Sequence, residues 1–139
     1  MERELRWLLD RAQILELTAR YNRYFDDGDA EGFATTFTDD GVMVVDGGPT
    51  MTGRPALMEM VRHTPYGVVH VTVDAVVVVD GDRATQDVRL LVCNRPAPGA
   101  ERHQRRSSLE RTGRYHDELV RTPEGWRFAK RTALLDGGL

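Results

Sequence analysis

Residues 68–95 read VVHVTVDAVVVVDGDRATQDVRLLVCNR. Two runs rich in β-branched residues, Val68 to Val79 and Ala84 to Arg95, flank Asp80-Gly81-Asp82. Long extended runs separated by a short glycine-containing turn predict an antiparallel hairpin. The pattern repeats downstream, where about Ser107 to Arg121 and Trp126 to Leu135 are joined at Thr122-Pro123-Glu124-Gly125. The C-terminal half is therefore read as an antiparallel meander. Between its second and third strands, Pro96 to Arg106 contains Pro96, Pro98, Gly99, Arg102, Arg105 and Arg106, which predicts an exposed, mobile loop.

Upstream of the hairpin the period changes. From Arg3 to Asp26, Leu5, Leu8, Leu9, Ile14, Leu17, Tyr21 and Phe25 recur at helical spacing with charges between them. One long amphipathic helix follows, stopped at Asp26-Asp27-Gly28-Asp29. Gly28 can take a left-handed conformation there, and Asp29 can cap a second, short helix from Ala30 to Phe37. Asp39-Asp40-Gly41 reads as a turn, Val42 to Val45 as a strand, Asp46-Gly47-Gly48-Pro49 as another turn, and Met51-Thr52 as a short return strand. Pro55 opens a third helix over Arg54 to His63. Helices first and a meander afterwards is the order of an α+β domain, not of alternating βαβ units.

The chain of 139 residues is one domain's worth, and its 40% apolar share is enough for a core. A formal net charge of −3, from 19 basic and 22 acidic residues interspersed, argues against nucleic acid and anionic membranes as partners. Cys93 is the single cysteine, so no disulfide can form within the chain and a cysteine-rich zinc site is excluded. No apolar run approaches a membrane span or a signal peptide, and a soluble cytoplasmic protein is expected. His63, His103 and His116 are isolated, so no dedicated metal site is expected. Phosphate loop, dinucleotide fingerprint and nucleophile elbow are all missing.

Three groups of residues carry chemical interest. Tyr21 and Phe25 share a helix face, and Asp26 lies about 140° from Tyr21, flanking that face at the helix end. His70 stands inside an apolar strand run, on the side of Val68, Thr72 and Asp74. An unpaired imidazole there would be costly, so a partner is expected. Asp87, Arg89, Tyr115, Asp117 and Arg131 are polar strand residues whose side of the sheet depends on register.

The ordered landmarks Tyr21-x-x-x-Phe25-Asp26-x-Gly28-Asp29, Phe37-Thr38-x-Asp40, Gly53-Arg54-Pro55-Ala56-Leu57, His70, Asp80-Gly81-Asp82-x-Ala84, Gly113-x-Tyr115-x-Asp117-Glu118-Leu119 and Gly125-Trp126-Arg127-Phe128 span the chain. Together they resemble the SnoaL-like domain of the nuclear-transport-factor-2-like superfamily, with the branch of scytalone dehydratase and bile-acid 7α-dehydratase nearest. The resemblance implies a cone, a curved, mainly antiparallel mixed sheet packed by three helices around one pocket. It assigns catalysis to Asp26, His70 and Tyr21. Phe25, Met43, Arg89, Tyr115 and Arg131 are expected to contact the substrate. Phe25 stands where scytalone dehydratase has its helix-end tyrosine, and Leu91 or Cys93 where that enzyme has a second histidine. The implied reaction is a cofactor-free lyase or isomerase step, a proton moved beside a carbonyl of a hydrophobic oxygenated molecule such as a polyketide or steroid-like ring. His70 would exchange the proton, Asp26 would hold and charge-stabilise the imidazole, and Tyr21 would donate to the substrate oxygen. The alternatives are a non-catalytic binding or dimerising domain, and a polyketide cyclase or epoxide hydrolase, which would need two carboxylates around a water. A homodimer packed through the sheets is expected from the Val and Leu alternation on the outer face. Asp26 and His70 are expected within about 3.5 Å of each other.

Overall fold

The computed structural model describes all residues from Met1 to Leu139. Its elements run α1 (Glu2–Asp26), α2 (Ala30–Thr35), β1 (Phe37–Val45), β2 (Thr50–Thr52), α3 (Arg54–Arg62), β3 (Val68–Asp80), β4 (Arg83–Asn94), β5 (Ser108–Thr122) and β6 (Gly125–Leu135). The strands form one six-stranded sheet in the order β2-β1-β6-β5-β4-β3. Only β1 and β6 pair parallel, and every other pair is antiparallel. This is the α+β order read from the sequence, in the cone that the family resemblance implies. No helix is long and apolar enough to cross a membrane.

One local expectation is overturned. Asp39-Asp40-Gly41 is not a turn but part of β1, where the pairing with β6 skips from Phe37 to Val42. A Cβ on Gly41 would lie 2.7 Å from that of Phe37, so the bulge closes tightly on itself and needs glycine. The polar Thr38 to Asp40 leave the ladder at this bulge while the strand continues to Val45.

A second bulge shapes β3. Asp74 adopts a positive φ of 58°, and the register with β4 shifts between Val73 and Val76. The alternation of side chains restarts after it, so Val71, Val73, Val76 and Val78 all face solvent on the outer side. Pro96 to Arg106 is largely exposed and holds only a single 3-10 turn, Arg102–Gln104.

Helix α1 is fastened to the sheet at both ends. Near its start, the buried carboxylate of Asp10 accepts hydrogen bonds from Arg121 at 2.6 and 2.9 Å and from the Trp126 indole at 3.0 Å. The Arg121 guanidinium also stacks on Trp126 at 4.5 Å. The hydrogen bonds from Arg121 hold the Asp10 carboxyl below the ordinary aspartate range, although burial opposes this. A lowered folded-state pKa contributes stability that is present above the unfolded pKa and lost as pH falls through the folded one. Replacing Asp10 by Asn is therefore expected to cost about 3 kcal/mol at neutral pH, and the gap to wild type should narrow below about pH 4. Urea unfolding at pH 7 and pH 3 measures both, and an equal loss at the two pH values would refute the assignment.

Candidate active site

Helix α1 ends at Asp26 because Gly28 takes φ 72° and turns the chain, its N–H donating to Phe25 O at 3.0 Å. Asp29 then caps α2, accepting from Gly32 N–H at 2.9 Å. The stop leaves the Asp26 carboxylate beside β3. As the sheet's edge, β3 pairs with β4 alone. Both Asp26 oxygens accept the His70 backbone N–H, at 2.9 and 3.1 Å. Its Oδ1 also stands 2.6 Å from His70 Nδ1. The two side chains are only 9% and 12% exposed. A proton on Nδ1 satisfies the carboxylate and leaves Nε2 as the free acceptor. The edge of the imidazole packs against Phe25, ring centroids 4.6 Å apart.

The pair lies in a groove of about 670 Å³ between α1 and β3, within the usual range for a small-molecule site. Arg11, Asn22, Arg23, Thr72 and Val88 also line it. Tyr21 does not. Its ring is fully buried among Phe33, Phe37, Tyr115 and Phe128, with its hydroxyl toward Met43 Sδ at 3.7 Å. Arg131 is 0% exposed in the same cluster, bonded through Nε and Nη2 to Asp117 at 2.7 and 2.9 Å. Its guanidinium lies over Tyr21, Tyr115 and Phe128, 3.8 to 4.3 Å from their centroids. Burial opposes the Arg131 charge, yet Asp117 outweighs it and the net shift is upward. Burial likewise pushes the Tyr21 and Tyr115 phenols up, so both stay protonated. Of the residues expected to touch substrate, Tyr115, Arg131 and Met43 are thus core. Arg89 points outward, its side chain 73% exposed and 3.5 Å from Asp74. Phe25 alone of that group borders the Asp26 and His70 pair.

A family model described as SnoaL-like domain matches residues 6–132. The chain belongs to the SnoaL-like family. Among solved structures, a nuclear-transport-factor-2-like protein with a cystatin-like fold from Novosphingobium aromaticivorans is 33% identical. The match covers 99% of this chain and 89% of that one, with a TM-score of 0.84. Rv3472 of Mycobacterium tuberculosis, a protein of unknown function solved as a D26N variant, is 32% identical over 96% of this chain and 75% of its own, TM-score 0.81. Hexachlorocyclohexane dehydrochlorinase LinA-type3 of Novosphingobium barchaimii, at 20% identity, shares the fold (TM-score 0.77, 96% of this chain and 90% of that one). No curated protein matches in sequence.

Sequence reading of this SnoaL-like chain placed Thr72 beside His70 but missed two residues next to the pair, Arg95 and Asn22. Arg95 Nη2 donates to the Asp26 carbonyl at 3.0 Å while the guanidinium lies 5.0 Å from the Tyr66 ring centroid, so it braces the helix end. Asn22 Nδ2 donates to Thr72 Oγ1 at 2.9 Å. Asn22 precedes Asp26 by four residues and Thr72 follows His70 by two, spacings that keep each on its partner's side. That periodicity was the available clue. Nothing in the sequence marks Arg95.

Proposed function

We propose that the chain is a cofactor-independent lyase or isomerase that moves a proton next to a carbonyl, with Asp26 and His70 as its catalytic pair. The observation that supports this is the 2.6 Å contact between the His70 Nδ1 and the Asp26 carboxylate in a largely apolar groove. Nε2 of His70 takes the proton α to the carbonyl, and Asp26 keeps the ring oriented and balances the imidazolium. In elimination that proton passes to a β-hydroxyl, which leaves as water. In isomerisation it returns at another carbon. The same positions, Asp26 and His70, carry the likeness to the dehydratase branch. Tyr21 serves the wall under α1, since its hydroxyl is sealed from the groove. The groove's other carboxylate, Asp74, is turned to Arg89, which weighs against a two-carboxylate epoxide-opening or cyclase mechanism.

The test follows α-proton exchange into deuterated water by NMR, with 6-hydroxy-α-tetralone as probe. Exchange faster than in buffer, and dependent on His70, is expected. Binding of the ketone without exchange would favour the rival, a binding domain in which Asp26 only caps the edge strand. The two acceptor contacts to the His70 N–H are the observation behind that rival.

A homodimer through the outer sheet face is part of the proposal. Val71, Val73, Val76 and Val78 form an apolar stripe there. Light scattering at micromolar concentration should give twice 15.7 kDa, and a species of only 15.7 kDa would refute it.

A further inference from the structure

Two rungs link α1 to β3, side by side. The first joins Asp26 to His70 and the second joins Asn22 to Thr72. Four residues of helix and two of strand each separate the rungs by about 6 Å. The second rung is incomplete. Asn22 is 8% exposed and lines the groove, yet its Oδ1 is buried with no partner. The Thr72 hydroxyl accepts from Asn22 and makes no hydrogen bond of its own as a donor. A buried acceptor left unmatched costs free energy that a ligand can recover. Turned toward the groove that it lines, the Asn22 amide sets an acceptor beside the Thr72 donor, and a hydroxyl group is the ligand chemistry that satisfies both. An enolate oxygen would be repelled by Oδ1, so this is not the place for the reacting carbonyl.

We infer that Asn22 and Thr72 form a hydroxyl-reading subsite, and that the substrate is a ring ketone with a hydroxyl about 6 Å from the carbon that loses its proton. The inference rests on the proton-transfer reading for the position of the reacting carbon. Arg11 and Arg23, on the groove wall with no carboxylate within salt-bridge distance, leave room for polar substituents at its rim. Asn22 and Thr72 are specificity-determining residues here, and the proton is handled elsewhere.

The experiment compares α-tetralone with 6-hydroxy-α-tetralone, whose hydroxyl stands across the fused rings from the carbonyl. Titration is followed by backbone amide NMR. Wild type is expected to bind the hydroxylated ketone at least about 5-fold tighter, the scale of a buried hydrogen bond. Asn22→Leu should abolish this preference while binding α-tetralone at least as well. Thr72→Val, at a partly exposed site, should weaken the preference and serves as the second variant if Asn22→Leu does not fold. His70→Gln should keep the preference while losing exchange, which separates the subsite from the catalytic pair. Equal affinities in wild type, no binding of either ketone, or a preference that survives both Asn22→Leu and Thr72→Val would overturn the subsite. Loss of the exchange activity alone would instead count against the proposed function.

Discussion

Replacing His70 by alanine is expected to lower catalysed α-proton exchange by at least about 100-fold with the fold intact, the usual worth of a positioned base. The side chain touches Asp26 and Phe25 and is not part of the main core cluster, so its removal should spare stability more than activity. Asp26→Asn should do comparable harm. An amide can still accept from the His70 backbone, but it cannot balance an imidazolium and can favour the wrong tautomer. The discriminating measurement is exchange rate beside the circular dichroism spectrum of each variant. A His70→Ala protein that keeps the wild-type exchange rate would end the catalytic assignment. A variant that loses both spectrum and activity would show the pair to be structural.

The second large effect is expected in the core. Arg131→Met should destabilise by about 3 to 5 kcal/mol, because it strands the Asp117 carboxylate in a fully buried site. Asp117 is 0% exposed, and its remaining partner would be Gln86 Nε2 at 2.8 Å. The double variant Arg131→Met with Asp117→Leu should recover much of the loss, since it removes both charges together. Urea midpoints for the two singles and the double close the cycle. A loss under about 1 kcal/mol for Arg131→Met would mean that the pair is not desolvated as its surroundings imply. The polar chain continues through Gln86 to Thr18 on α1 at 2.9 Å, so the destabilisation should be accompanied by a looser α1. Because α1 also carries Asn22 and Asp26, exchange activity in these variants should fall before the fold is lost.

Much of this molecule is written locally. The changes of period at residues 26 and 68, the glycine-bearing turns and the β-branched runs are properties of a few neighbouring side chains, and they determine the order of helices and strands. The main local error, at Asp39 to Gly41, came from a bulge. Asp and Gly favour turns by their own conformational freedom, and only pairing with Lys130 and Phe128 on β6 keeps this segment in a strand. The site was legible in a different way. Asp26 and His70 are 44 positions apart, and no spacing rule joins them; likeness to a known domain nominated the pair.

Sequence alone determined what each strand residue is, and tertiary structure decided which way it faces. A bulge at Asp74 moved that carboxylate out to Arg89, and the β5 to β6 register brought Arg131 beside Asp117 inside the core. Tyr21, Tyr115 and Arg131 are polar residues whose burial depends on one another, so none could be placed without the others. Asn22 and Thr72 met for a similar reason. Helix and strand advance at different rates per residue, and only their packing at one height turns two unrelated periodicities into a pair of rungs.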